Sequence, residues 1–442
     1  MNKVSEMQGN EPSEKVSRLI ASALVPQPPT CWEETGLPFA FLVDLMLKTF
    51  FSSGRLSVWA LGERLKLPAA VVESVLDFLR AESLCEVSGR GQGANDIRYQ
   101  LSGAGRARAE ILLRKSQYVG PAPVSLAAYV AQVDSQSIAQ MRVSRESLNA
   151  AFHDMVIDQR LRDDFGAAIN SSRAILVYGP SGSGKTFIAE HLMHALSGQI
   201  YVPHAILVDA DVIQIFDPQV HHPAETIARG QVLDRWSGVD ARWTLCQRPV
   251  VINGGELTLS MLDLQFDAHS RFYVAPPQVK ANNGLLIIDD LGRQLVTPRD
   301  LMNRWIVPLD RRIDHFALHT GKKFCLPFDV NVIFSSNLRP SELADEAFLR
   351  RLGYKIYVGA LEADDYRQVF VQACERTGVV FSEDAFRYLL LECHRAHEQP
   401  LLACIPFDLA SMIGDRAAYL DTPPEMSRET LDWAWRTYFA SE

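Results

Sequence analysis

The octapeptide GPSGSGKT at residues 179–186, directly after the apolar run Ala174–Tyr178, constrains the fold more than any other part of the sequence. It fits the pattern G-x-x-x-x-G-K-[ST], and a helical pattern follows over residues 186–196. A buried strand, a glycine-rich turn and a helix N-terminus bring backbone N–H groups together around phosphate oxygens. A strand-to-helix turn without a ligand explains the glycines but not the adjacent lysine and threonine. We therefore expect an α/β fold with a phosphate-binding loop.

The loop residues have expected roles around ATP and Mg²⁺. Lys185 is expected to reach the β- and γ-phosphates, and the hydroxyl group of Thr186 is expected to bind Mg²⁺. The residues expected to surround the nucleotide are Gly179, Pro180, Ser181, Gly182, Ser183, Gly184, Lys185, Thr186 and Phe187.

Two acids provide the partner that such a loop needs for its metal ion. Asp289 and Asp290 follow the apolar run Leu285–Ile288, so both carboxylates are expected at the C-terminal edge of a buried strand, where ligands bind in open α/β sheets. Asp289 is expected to hold Mg²⁺ through water, and Asp290 to orient or deprotonate the attacking water. The alternative is that one of the two acids caps a helix.

A polar strand end and an arginine pair complete the candidate site. Asn337 ends the segment VNVIFSSN and is expected to position water beside the γ-phosphate, although asparagine is also common in turns. Arg350 and Arg351 end the segment LADEAFLRR, where basic residues also interact favourably with the helix dipole.

The order of these features along the chain resembles that of the AAA+ ATPases, over roughly residues 150–442. The phosphate loop comes first, followed by the paired acids, the polar strand end, the arginine pair and a helical C-terminus. The resemblance implies a five-stranded parallel sheet in the order 5-1-4-3-2, with helices on both faces and a C-terminal helical lid. It places the Asn337 strand between the phosphate-loop strand and the Asp289 strand. AAA+ proteins usually work as rings, often hexamers, in which Arg350 or Arg351 would reach the γ-phosphate held by a neighbouring subunit.

The segments KANNGLLIIDDLGRQ and DEAFLRRLGYKI look like a bacterial AAA+ family with an N-terminal winged helix. Two features depart from the common AAA+ pattern. Asp290 stands where glutamate is more frequent, and Phe407 stands where a lid arginine usually contacts the nucleotide. Arg395 and Arg416 are the nearest substitutes for that arginine.

The chain is expected to divide into five parts, of which the last two form the AAA+ module. They are a mobile tail (1–34), a winged helix-turn-helix domain (35–118), a linker (119–150), the nucleotide-binding core (151–360) and the helical lid (361–442). Continuous apolar runs in the core predict parallel strands buried on both faces. These runs are Ala205–Val208, Val250–Ile252, Leu285–Ile288, Val330–Phe334 and Ile356–Val358.

Two hairpins are expected in addition to these strands. One lies in LHTGKKFCLPFDV, before the Asn337 strand, where some AAA+ proteins carry an insertion. The other lies between Ile252 and Pro276, with Arg271, Phe272 and Tyr273 as candidates for a central pore.

The winged helix is expected to dock a protein rather than to read DNA. Its third helix carries Glu73, Asp77 and Glu82 against the single Arg80, whereas a helix in the major groove needs basic or amide side chains. DNA contact remains an alternative, because a basic cluster follows the hairpin. That cluster consists of Arg106, Arg108, Arg114 and Lys115.

Composition is consistent with a globular protein in a reducing compartment. The 442 residues are 47% hydrophobic and 22% charged, with a net charge of −9, which gives no electrostatic reason for strong binding to nucleic acid or membranes. The sequence predicts a cytoplasmic protein without membrane insertion. Its seven cysteines are scattered, which suits a reducing compartment, and it shows neither a signal-peptide pattern nor an apolar run long enough to span a bilayer.

The expected function is that of a homo-oligomeric AAA+ ATPase, with a hexameric ring as the expected form, that uses ATP and Mg²⁺ to move or remodel a macromolecular partner. A protein partner is expected to bind through the winged helix or the pore. Two alternatives stay open: a nucleotide-gated scaffold with little hydrolysis, and a DNA-associated regulator or helicase-loader-like ATPase.

Overall fold

The computed structural model describes residues 25–90, 97–196, 198–224, 238–343 and 345–439. Of the predicted tail, residues 1–24 lie outside this part. Residues 25–34 are ordered against the rest of the chain. Asp240 N donates a hydrogen bond to Pro26 O over 2.8 Å, and Trp32 packs edge-on against Phe39.

The N-terminal unit, residues 33–118, consists of helices around a small antiparallel sheet of order β1-β3-β2. Ser57 caps the second helix by accepting a hydrogen bond from Ala60 N, and Pro68 precedes the third. The third helix buries an apolar stripe, as its spacing predicts, while Glu73 and Asp77 face solvent. The elements are α1 (Phe39–Ser53), β1 (Leu56–Ser57), α2 (Val58–Leu65), α3 (Ala69–Ala81), β2 (Cys85–Arg90), β3 (Ile97–Leu101) and α4 (Gly103–Lys115), after a 3-10 turn at Glu33–Thr35.

Residues 119–150, for which the sequence predicts a linker, form regular structure that belongs to the body of the protein. A short strand joins a second sheet, and the helix after it packs beneath that sheet. The elements from here to the phosphate loop are β4 (Val124–Ser125), α5 (Leu126–Ser135), a 3-10 turn (Ile138–Gln140), α6 (Arg145–Ala151) and α7 (Gln159–Asn170).

Residues 171–360 contain the main sheet, the second sheet apart from its strand β4, and two strand pairs. The strands are β5 (Ile175–Tyr178), β6 (Gln199–Pro203), β7 (Ala205–Val208), β8 (Asp211–Gln214), β9 (Trp243–Gln247), β10 (Val250–Asn253), β11 (Gln265–Asp267), β12 (Phe272–Val274), β13 (Leu285–Ile288), β14 (Ile313–Ala317), β15 (Lys323–Pro327), β16 (Asn331–Ser336) and β17 (Tyr354–Tyr357). The helices are α8 (Lys185–Ala195), α9 (Pro277–Lys280), α10 (Pro298–Arg311), α11 (Pro340–Leu343) and α12 (Glu346–Leu349), with a 3-10 turn at Leu259–Leu262.

The main sheet has five parallel strands in the order β10-β13-β16-β5-β17. Its faces are both covered, because Ile175 and Val177 of β5 pack with α6, α7 and α8 while Leu176 packs with α10 on the opposite side. Ser336 pairs with Tyr178, so β16 and β5 end together. The segments that follow the strands therefore meet at one edge.

The second sheet, of order β4-β7-β8-β12-β11, corrects the expected position of Ala205–Val208. That run is β7, which pairs parallel to β4 and antiparallel to β8, and it is not part of the main sheet. Its continuous apolar character does reflect burial on both faces, but the elements that cover those faces are not the ones expected. Ala205 and Leu207 pack into the core of the N-terminal unit, and Ile206 and Val208 pack into a separate core on the other face.

A buried ion pair fixes the N-terminal unit to this region. Arg242 and Asp240 have side chains that are 5% and 3% exposed and lie 2.8 Å apart. Arg242 Nη1 also donates to Thr35 O over 2.8 Å and to Pro123 O over 3.3 Å. The N-terminal unit is therefore attached through both apolar and polar contacts.

Both expected hairpins are present, and one of them corrects the pore prediction. β14 pairs antiparallel with β15, and β11 with β12. Tyr273 is buried and its hydroxyl contacts His319, while Phe272 packs edge-on against Tyr118. Arg271 donates to the carbonyl oxygen of Arg114. Phe272 and Tyr273 lie on β12, which has strands on both sides in the second sheet, whereas Arg271 precedes β12 and is exposed.

The C-terminal residues form a helical unit with its own apolar core, and this unit is called the lid below. Near its middle this unit touches the phosphate loop, since Cys404 N donates to Gly182 O over 3.0 Å. The helices are α13 (Ala363–Thr377), α14 (Glu383–Tyr388), a π-helical continuation (Leu389–Arg395), α15 (Cys404–Leu420) and α16 (Arg428–Phe439).

Candidate nucleotide-binding site

The phosphate loop follows β5 and depends on glycine at three positions. Gly179, Gly182 and Gly184 have φ values of 153°, 81° and 92°. A Cβ atom on Gly179 would collide with the carbonyl oxygen of Val358, and one on Gly182 would collide with Sγ of Cys404. The glycines thus permit both the left-handed turns and the close approach of β17 and the lid.

Lys185 opens α8 and points back across the loop. Its Nζ donates to Gly179 O over 3.1 Å, to Pro180 O over 2.8 Å and to Asn337 Oδ1 over 2.8 Å. Burial lowers the pKa of Lys185, and the nearby carboxylates of Asp289 and Asp290 oppose that shift. The ammonium group is thus held by acceptors at the edge of the sheet where the loop and the acids meet.

Thr186 and Asp289 meet as the sequence predicts for a magnesium site. Thr186 Oγ1 donates to Asp289 Oδ2 over 2.8 Å, while Asp289 Oδ1 accepts from Asp290 N over 2.9 Å. A hydroxyl and a carboxylate are oxygen ligands of the kind that Mg²⁺ prefers, with water completing its coordination. The donor set therefore fits this ion.

Asn337 lies between Lys185 and Asp290. Its amide oxygen accepts from Lys185, and its Nδ2 donates to Asp290 Oδ1 over 3.3 Å. Asp290 has a left-handed backbone, with φ of 50°, and its Oδ2 lies 3.7 Å from Arg293 Nη1. A lysine, an amide and a carboxylate thus form one continuous chain of contacts.

Two adjoining cavities lie between the core and the lid. The larger, of about 520 Å³, is lined by the polar residues just described except Arg293, together with Ser181, Gly182 and Cys404. The smaller, of about 290 Å³, extends from Ser183 to residues 154–158 and 358–362. Ser183 Oγ is buried and has no hydrogen-bond partner among the described residues. Both cavities combine polar and apolar walls and meet at the phosphate loop, which suits a ligand with a phosphate chain and a base.

The arginine pair lies away from these cavities. Arg350 Nη2 is 2.8 Å from Glu346 Oε1, and Arg351 Nε is 2.8 Å from Asp310 Oδ2. Both line a separate cavity of about 630 Å³ that also includes Arg173 and Arg312. Since Arg173 precedes β5 and the phosphate loop follows it, this cavity lies toward the opposite edge of the main sheet.

The lid contains a residue that the sequence reasoning missed. Arg376, in the last turn of α13, lines both cavities between core and lid, and so does Phe407. Neither Arg395 nor Arg416, the substitutes expected from sequence, lines either one. Arg416 instead stacks over Trp433 at 4.8 Å. The only sequence signal at Arg376 is a basic residue near a helix end, which the helix dipole already explains.

Comparison with known proteins gives a match to the lid and distant likenesses to two structures. Residues 362–437 match the family model described as "Domain of unknown function (DUF8689)". No curated protein sequence matches the chain. The chain is similar in structure to NtrX from Brucella abortus in complex with ADP, at 16% identity and a TM-score of 0.40, covering 74% of this chain and 65% of that one. It is also similar to the Thermotoga maritima RuvB Holliday junction branch migration motor, at 12% identity and a TM-score of 0.36, covering 64% of this chain and 70% of that one.

At these TM-scores neither likeness carries a conclusion about the present chain. The lid match covers one domain and comes with no stated function. A membrane-spanning helix is not found either: within the described ranges, every helix is too short or too polar to cross a bilayer.

Proposed function

We propose that the protein is an AAA+ ATPase that binds ATP with Mg²⁺ between its phosphate loop and its lid and hydrolyses it. The observation that supports this best is the contact chain Lys185–Asn337–Asp290, which runs beside the pair Thr186–Asp289. A glycine-rich loop by itself accounts for phosphate binding but not for hydrolysis. Hydrolysis also requires groups that position and deprotonate water, which the acid Asp290 and the amide Asn337 provide at the same sheet edge.

Each of these side chains has a distinct part in the reaction. Lys185 exchanges its carbonyl and amide acceptors for oxygens of the β- and γ-phosphates. Asn337 and Asp290 hold the attacking water, and Asp290 accepts its proton. Mg²⁺, when bound, would be held by Thr186 and, through water, by Asp289, and it would offset the negative charge of the phosphates.

We further propose that hydrolysis takes place in a homo-oligomer, with a hexameric ring as the expected form. Arg350 and Arg351 do not line the nucleotide cavities of their own chain, yet they border a basic cavity together with two further arginines. A neighbouring subunit could bring its phosphate chain to this surface. An arginine from a neighbour would then stabilise the charge that develops during phosphoryl transfer.

Phosphate release from ATP in the presence of Mg²⁺ tests the proposal. Wild-type protein should turn over ATP, and Lys185→Ala should reduce the rate more than about 100-fold, because it removes the cation in contact with the phosphates. Lys323→Ala, at an exposed position on β15, is the matched control and should leave the rate unchanged. Equal rates for wild type and Lys185→Ala would reject the assignment.

A nucleotide-gated scaffold is the second candidate, and the surroundings of Asp290 favour it. This carboxylate is already engaged by Asn337 and lies near Arg293, and it is one methylene shorter than the more common glutamate. ATP would then drive assembly with negligible turnover. Light scattering and phosphate release on the same sample separate the two functions, since a scaffold assembles with ATP while its turnover stays at background.

We propose a protein as the macromolecule that is moved or remodelled. The outward face of α3 is acidic, and Arg108 of the basic cluster lies 3.4 Å from Asp44. The DNA-associated alternative predicts that the full-length protein binds duplex DNA with an affinity that falls steeply with salt. Binding that is absent or independent of salt would exclude it.

A further inference from the structure

Arg376 lies where the two nucleotide cavities meet. Among the residues that the structure describes, five border both cavities, and Arg376 is the cation among these five. They are Gly184, Phe187, Arg376, Ala403 and Phe407. A side chain at this junction is within reach of a ligand in either cavity.

The guanidinium group of Arg376 is held by an aromatic ring. Its Cζ atom lies 5.4 Å from the ring centroid of Phe407, which is a cation–π contact. Within the described part of the chain Arg376 makes no ion pair, whereas Arg367 on the same helix is paired with Glu383 at 2.6 Å. The five N–H donors of Arg376 are thus available to a ligand.

The charges around the cavities call for such a cation. Among the described residues that line either cavity, six are acidic and two are basic. The basic residues are Lys185 and Arg376, and the acidic ones are Asp154, Asp158, Asp289, Asp290, Glu362 and Asp365. A triphosphate adds further negative charge to this surface. Without Arg376, Lys185 would be the remaining basic side chain on the walls of the two cavities.

We infer that Arg376 binds the phosphate chain of the nucleotide and that Phe407 positions its guanidinium group. The inference rests on the proposed function, because it assumes that ATP occupies these cavities. It assigns the lid contact to the first lid helix, α13, and not to α15, where Phe407 stands. Because α13 belongs to the lid and Lys185 to the core, the phosphate chain would join the two parts.

Isothermal titration calorimetry with MgATP tests the inference on full-length variants. Arg376→Met keeps the bulk of the side chain and removes its charge, and it should weaken MgATP binding roughly 10- to 100-fold, as expected for the loss of charge-assisted hydrogen bonds. Arg376→Lys keeps the charge without the planar fork and should bind with intermediate affinity. Arg395→Ala, at an exposed lid position that lines neither cavity, should bind like the wild type.

The outcomes distinguish a failure of the proposed function from a failure of the inference about Arg376. If wild-type protein binds no nucleotide, the proposed function fails. If wild type binds MgATP and Arg376→Met binds equally well, the inference alone is overturned. Equal losses in Arg376→Met and Arg395→Ala would also overturn it, since the effect would then not belong to the cavity. The unfolding temperatures without ligand should agree among all variants, because both arginines are exposed.

Discussion

Asn337 offers the sharpest test of the hydrolysis mechanism. Its amide accepts one hydrogen bond from Lys185 and donates a longer one, of 3.3 Å, to Asp290. Asn337→Ala removes both bonds but leaves Lys185 with its two backbone acceptors. ATP affinity should therefore change little, while the positioning of Asp290 and the attacking water is lost.

The size of the effect follows from these bonds. A hydrogen bond to a charged group contributes about 1.5–3 kcal/mol, and the long bond to Asp290 places the expected loss near the lower end. We expect kcat to fall roughly 10- to 100-fold, since about 1.4 kcal/mol corresponds to a factor of ten. Asn337→Asp should be slower still, because it places a second carboxylate beside Asp290.

The assay combines phosphate release at saturating MgATP with calorimetric binding. Asn331→Ala is the control, because Asn331 begins the same strand, β16, and its side-chain N and O atoms have no hydrogen-bond partner in the described part of the chain. Unchanged turnover in Asn337→Ala would refute the positioning role. So would a loss of binding as large as the loss of turnover, since the residue would then act on affinity alone.

Three further predictions concern assembly and stability. Replacing Arg350 or Arg351 with alanine should preserve MgATP binding, and in at least one of the two variants hydrolysis should fall about 100-fold or more. Mixing that variant with Lys185→Ala subunits should restore phosphate release. If phosphate release does not recover, the arginine does not act between subunits. Asp240→Asn leaves the charge of Arg242 buried without its partner, so it should lower the free energy of unfolding, measured by denaturant titration, by about 3–5 kcal/mol. A loss below about 1 kcal/mol would show that the ion pair is not needed for stability. Burial lowers the pKa of His221 to about 4, from 6.5 in the unfolded chain, so the unfolded chain binds the proton first as the pH falls. The free energy of unfolding should therefore keep its full value above pH 6.5 and decrease by on the order of 3 kcal/mol as the pH falls toward 4. His221→Gln should flatten this dependence, and an identical slope in wild type and variant would contradict it.

The residues that lie together in the candidate site could be found from sequence because each one ends a buried strand. The loop after β5, the acids after β13 and Asn337 after β16 are local signals, and parallel strands bring their carboxyl ends to one edge. Local pattern and tertiary arrangement agree here, so the short motifs were sufficient to predict which side chains meet.

Other features depend on contacts between distant segments and leave little trace in the sequence. Ala205–Val208 reads as a strand buried on both faces, which is correct, but the pattern does not reveal that the N-terminal unit covers one of those faces. Tyr273 on its hairpin reads as a pore candidate, and burial against His319 becomes visible only in three dimensions. The proximity of Arg376 to the phosphate loop likewise depends on how the lid folds back.

The attachment of the N-terminal unit has a mechanical consequence. Leu207 and Val212 of the second sheet complete the core of that unit, and Arg242 ties it to β9, which is followed almost directly by β10 at the edge of the main sheet. A partner that pulls on the N-terminal unit would therefore load this edge strand through a stiff path of packed side chains. The force would reach the sheet that carries the phosphate loop, because packed side chains and not a flexible linker connect it to the N-terminal unit.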